Sequence, residues 1–149
     1  MSPKRCLMVD LLHRFFLGVL NTWCHRVIWI MIEKGAYGDV GNEHENLEVS
    51  VMVIRANLMK FCEATFEENG EETLTRVSDL TKGMLNQHWE KHVKTKGAKT
   101  WGFALFLKDE LEKRGTMMGA DGDRLLNAGK QLIAIVIHWR SYFGRFLNM

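Results

Sequence analysis

Apolar positions recur along this chain at helical spacing, with no stretch of strict alternation. They are dense from about residue 5 to about residue 34, where Lys34 and Gly35 close the segment. This predicts one bent helix or two, with Gly18 and the pair Asn21 and Thr22 at the middle. Gly35, Gly38, Asp39, Gly41 and Asn42 mark a loop over 35–46. Leu47, Val51, Ile54, Leu58, Phe61 and Thr65 then repeat at helical spacing and predict an amphipathic helix that ends at Asn69 and Gly70. Residues 71–81 are polar and poorly periodic, a short turn or helix carrying Leu74, Val77 and Leu80. A further amphipathic helix is predicted over 83–94, with Leu85, Trp89 and Val93 on one stripe.

The last two predicted helices are the most apolar. Thr100 is placed to cap a helix over 100–114, and Trp101 through Leu107 crowd its first half before charge begins at Lys108, Asp109 and Glu110. Gly115 to Gly122 reads as a glycine-rich loop, after which Asp123 is placed to cap a helix over 123–147. The run Leu132, Ile133, Ala134, Ile135, Val136, Ile137 is apolar all round. Together these imply a buried helical hairpin wrapped by the other helices. The expected fold is all-α, in a single domain spanning 1–149.

Composition agrees. The sole proline stands at position 3, so nothing further along forbids long helices, and 46% apolar residues in 149 suffice for one core. A net charge of +2, with basic and acidic residues interleaved, gives no footprint for nucleic acid. Cys6, Cys24 and Cys62 are odd in number and widely spaced, which fits free thiols and a cytoplasmic setting better than a disulfide framework. Asp10, His13, Arg14, Asn21, His25 and Arg26 interrupt the apolar stretch 6–32, and Phe146 to Met149 leave no apolar tail, so no direct membrane span is expected.

Catalytic chemistry is not suggested. His88 and His92 lie four apart but lack the zinc-protease pattern and a third ligand. Asp121, Gly122 and Asp123 are too few for a calcium loop. Cys62 falls on the apolar side of its helix, as a small core residue would, and Met117 and Met118 belong to the predicted loop. No catalytic residue, metal site or cofactor is therefore assigned. The pair Trp101 and Gly102 is different, because it joins a large rigid anchor to a position without a side chain at the opening of a buried helix. That pair suits close helix packing as well as recognition of a ligand backbone.

The order of segments resembles the Bcl-2 family of apoptosis regulators. Thr100, Trp101, Gly102 and Phe103, followed by Ala104, Leu105 and Phe106, resemble the family's first homology region, Asn-Trp-Gly-Arg, at the start of its central helix. Leu58, Met59, Lys60, Phe61, Cys62 and Glu63 fit the third region's outline of a leucine, intervening residues and an acid behind a small residue. Ser78, Asp79, Leu80 and Thr81 resemble the segment downstream of it. Arg5 to Leu12 resemble the first helix, for which Arg26 to Ile30 with Lys34 to Tyr37 offer another register. The sequence departs from the family in having Phe103 where an arginine usually stands, a longer spacing from Glu63 to Ser78, and a faint second region around Trp139 and Phe143.

The resemblance implies a Bcl-2-like helical bundle, in a compact, drifted chain closest in style to viral members. It implies an inhibitor of apoptosis, in the host cytosol or at mitochondria through its partners, that sequesters the amphipathic death-ligand helix of pro-apoptotic family proteins. The groove expected from it comprises Phe66, Arg76, Val77, Leu80, Leu85, Trp89, Val93, Thr100, Gly102, Phe103 and Phe106. An apolar cleft without a tail to fill it also leads us to expect a homodimer or a groove filled by a neighbouring chain. The alternatives are a membrane-permeabilising pro-death relative and a helical structural protein without a groove.

Overall fold

A computed structural model describes residues 3–39, 41–69, 80–85, 90–91, 93–95 and 97–147. Among them the fold is all-helical, without a strand. Helix α1 (Pro3–Arg14) passes through a π-helical segment (Phe15–Leu20) into α2 (Asn21–Glu33). Helices α3 (Glu43–Asn69), the single turn α4 (Lys82–Leu85) and α5 (Gly97–Arg114) follow. A 3₁₀ turn (Gly115–Met118) then leads into α6 (Gly119–Leu147).

The expected stop at Gly35 is a Schellman motif. Gly35 adopts φ 70°, its N–H bonds the Ile32 carbonyl at 3.0 Å, and the Ala36 N–H reaches back to Met31 at 2.9 Å. The chain thereby turns inward, and Ala36 and Tyr37 are buried. Helix α3 opens on Asn42, whose Oδ1 accepts the Glu45 N–H at 2.8 Å, with Glu43 and Glu45 in the favourable first turn.

Helix α5 is the axis of the core. Thr100, Trp101, Gly102, Phe103, Ala104, Phe106, Leu107, Glu110 and Leu111 are all buried. Asn21 lies by Thr95 and, through it, Thr100, while Arg114 reaches the Ala36 carbonyl, so α2 runs parallel to α5. Contacts of Asn57 with Glu110 and of Phe61 with Phe106 show that α3 runs antiparallel. Helix α6 also returns antiparallel, bringing Arg140 back to Trp101.

The expected hairpin of α5 and α6 is present, but only α5 is buried on most sides, and that through its first half as far as Leu107. Ile133 and Val136 face inward, whereas Ile135 is 39% and Ile137 55% exposed. One face of α6 meets α5, the 3₁₀ turn and Trp23, and the opposite face is open. The next most buried helix is α2, through the stripe Trp23, Cys24, Val27, Ile28 and Met31, with Leu20 of the π-helical segment continuing it.

Other boundaries also differ from expectation. Helix α5 begins at Gly97, so Thr100 lies within it and pairs its hydroxyl with that of Thr95 at 2.8 Å. Helix α6 begins at Gly119, four residues ahead of Asp123, and Met118 in the 3₁₀ turn is buried while Met117 is exposed. The helix expected over 83–94 is helical only as far as Leu85 among its described residues, because at Val93 the main-chain groups pair with the Asn21 side chain instead of a helical ladder.

Helices α2 and α6 cross at Gly129. The Trp23 indole lies on that glycine and its Nε1 donates to the Leu125 carbonyl at 3.0 Å. A Cβ at Gly129 would overlap the indole. Gly129→Ala should therefore cost about 3 kcal/mol, seen as a lower melting temperature. Ser50 Oγ is buried without a hydrogen-bond partner, so Ser50→Ala should be neutral or stabilising by about 1 kcal/mol in the same assay.

Candidate functional site

The described residues of the expected groove converge, but as core. Leu80, Leu85, Val93, Thr100, Phe103 and Phe106 are each at most 2% exposed, and Gly102 is buried beside them. Phe103 stacks on Phe106 with ring centres 6.0 Å apart, and Phe106 meets Phe61 edge-on at 5.8 Å. Phe66 lies in α3, its side chain outside the described residues. Arg76, Val77, Trp89, His88 and His92 also lie outside them. Trp101 is 7% exposed, and the Arg140 guanidinium covers its ring at 4.6 Å from the centre.

Polar atoms hold the covering segment in place. Asn21 Oδ1 accepts the Val93 N–H at 2.6 Å, and its Nδ2 donates to the Val93 carbonyl at 2.9 Å and to Thr95 Oγ1 at 3.1 Å. The Lys94 N–H bonds the Met84 carbonyl at 2.8 Å, and Trp29 Nε1 donates to the Leu85 carbonyl at 3.4 Å.

An open cleft of about 510 Å³ lies between α3 and the far end of α5. Asn57, Lys60, Phe61, Ala64, Thr65 and Glu68, at the i, i+3, i+4 spacing of one helix face, form one wall, and Asp109, Glu110, Lys113 and Arg114 form the other. Phe61 and Ala64 give it an apolar strip. Its inner wall is an ionic cluster around the buried Glu110: Arg114 Nε lies 3.1 Å and Asn57 Nδ2 3.3 Å from Glu110 Oε2, with Arg114 and Asn57 both half-buried. The Arg114 guanidinium also stands 5.3 Å over the Tyr37 ring and donates to the Ala36 carbonyl at 2.9 Å. Burial, with the charge and hydrogen bond of Glu110, pushes the Tyr37 phenol well above its ordinary pKa and keeps it protonated. On the rim, the hydrogen bond that Lys113 donates to Asp109 holds the ammonium above its usual pKa.

The sequence reading placed the groove against the first half of α5 and missed this cleft at its other end. The available signal was the Asn57, Phe61, Ala64, Glu68 face of α3 opposite the charged turn after Leu107. Among the described residues no trio of His, Cys, Asp or Glu is grouped to hold a metal ion. Cys24 is buried and its thiol is pushed far up by desolvation, whereas Cys62 is half-buried against the core. No helix of the described residues is long and apolar enough to cross a membrane. The chain matches no protein-family model, curated protein or solved structure among those compared with it.

Two substitutions separate a packed from an open Trp-Gly junction. Both positions are buried, so Gly102→Glu would bury a carboxylate and Phe103→Arg a guanidinium, each without a designed partner. The expected groove places Gly102 and Phe103 where a ligand would meet them, whereas both are buried in the core. Both variants should lose at least about 3 kcal/mol of stability by denaturant unfolding, and a native-like midpoint for either would show that this face opens readily.

Proposed function

We propose that the protein binds an amphipathic helix between α3 and α5, and that its ligands are the death-ligand helices of pro-apoptotic Bcl-2 family proteins. One observation carries the location: Phe61 lines the open cleft and packs on the core, in ring contact with Phe106 of the expected groove. The cleft is then the accessible outer half of a longer groove. Its inner half is filled by Leu80, Leu85 and Val93.

A volume of about 510 Å³ is within the range of peptide and small-ligand pockets. The strip of Phe61 and Ala64, bordered by Lys60, Glu68, Asp109 and Lys113, suits a helix that presents apolar residues between charged ones. The identity of the ligand comes from the sequence resemblance, carried by Trp101, Gly102 and the Leu58 to Glu63 segment. Sequestering such helices would make the protein a suppressor of apoptosis acting in the cytosol, in the manner of a viral member of that family.

Titration of the full chain with synthetic death-ligand helix peptides tests this. At least one should bind saturably, at about 10 µM or tighter. Ala64 is exposed on the cleft wall, so Ala64→Arg should block the site and weaken binding by at least about tenfold while the melting temperature stays within a few degrees of the parent. A panel without a saturable curve ends the proposal, and an unaffected Ala64→Arg variant removes the cleft from it.

A further inference from the structure

Asn21 is 2% exposed at the amino end of α2, and its carboxamide is committed to the main chain of one distant residue. It accepts the N–H of Val93 at 2.6 Å and donates to the carbonyl of Val93 at 2.9 Å. A carboxamide that engages both groups of one residue acts as a substitute peptide bond. It grips backbone and leaves the side chain to be chosen by the cavity, here filled by Val93 at 2% exposure.

The same amide reaches Thr95 Oγ1 at 3.1 Å, which lies 2.8 Å from Thr100 Oγ1 on α5. Residues 93–95 have no helical ladder of their own, and α4 is a single turn. Among the described residues, this side-chain network and the hydrogen bond from Lys94 to Met84 tie them to the helices. Leu80, Leu85 and Val93 are buried in the same core as Phe103 and Phe106, and the Thr95–Thr100 contact brings residues 93–95 to the start of α5, where the expected groove has its inner half.

We propose that Asn21 is a latch that holds residues 93–95 in the inner half of the groove as an internal occupant, and that a ligand helix enters there only when the clasp releases. The ligand in this inference rests on the helix-recognition reading; the local opening does not. If the groove-competent state is a minor one, weakening the clasp raises its population and the apparent affinity by the same factor.

Amide hydrogen exchange and peptide titration of the full chain test the latch. In the parent protein the Val93 amide should exchange at least about 100-fold faster than those of Phe106 and Leu107, through local opening. Asn21→Ala should accelerate exchange at 93–95 while the α5 amides hold, and should tighten binding of the death-ligand peptides by about tenfold. Thr95→Val, which removes one hydroxyl and preserves the side-chain shape, should move both readouts the same way by less, and it decides the matter if Asn21→Ala does not fold. Equal protection of Val93 and the α5 amides in the parent overturns the latch, because the segment then opens only with global unfolding. Unchanged peptide affinity in the folded variants overturns its control of ligand entry. Local opening at 93–95 without binding of any peptide supports the latch and removes the helix-recognition reading instead.

Discussion

Burial of α5 on nearly every side is the constraint on which the rest of this structure depends. In its first half, where Thr100 to Ala104, Phe106 and Leu107 are all buried, the helix has almost no face to give to water, so neighbours must enclose it. Helix α2 supplies one wall in parallel, α3 and α6 supply others in antiparallel, and Leu80, Leu85 and Val93 complete the enclosure. Each fully buried large side chain contributes about 2–3 kcal/mol. The enclosing elements are thus held mainly by what α5 presents to them, and any binding surface on α5 exists only where one of them stands away.

Apolar packing does not by itself fix how the neighbours slide along α5. That register is set by polar groups at its two ends. Near the start, Asn21 and Thr100 meet through Thr95; near the finish, Glu110 and Arg114 meet Asn57 of α3 and Tyr37 and the Ala36 carbonyl beyond α2. A buried carboxylate is tolerable only with such partners, and a one-turn shift of α2 or α3 would strand it. The ionic cluster also explains why the cleft lies where it does. Charged side chains at 109, 110, 113 and 114 prevent the last turns of α5 from closing on α3 as tightly as Phe106 closes on Phe61.

Local signals in the sequence were reliable where a few adjacent residues decide the outcome. Gly35 stops α2 because only a glycine readily takes the positive φ of its motif, and Asn42 begins α3 with a side-chain cap. The buried stripe of α3, through Val51, Ile54 and Leu58, follows directly from helical spacing. What failed was decided by distant partners. Periodicity at Leu85, Trp89 and Val93 suggests a helix, but the peptide groups of Val93 belong to Asn21, 72 residues away. The run from Leu132 to Ile137 is apolar all round, yet its burial depends on how many neighbours reach α6, and they reach one face. Phe103 looked like a groove residue because an arginine is usual there in the resembled family; its burial shows that this chain turns the position into packing.

A closed inner groove and a helix-binding function are compatible if the internal occupant is weaker than the ligand. Leu80, Leu85 and Val93 are aliphatic residues presented from a single turn and an irregular segment, so their attachment carries little helical cooperativity. A ligand helix that brought similar apolar area from one preformed face would recover the burial lost on opening, and would add its contacts with Phe61 and Ala64 in the cleft that is already open. Binding would then begin at the outer half, where no rearrangement is needed, and extend inward as the segment yields. The inner contacts, which exist only in the opened state, supply the differential affinity without which no ligand could shift the two states, and the outer contacts add affinity to both. In this arrangement Asn21 sets the cost of the inward step and the α3 face sets the first encounter, so the selectivity of the site is divided between the two halves.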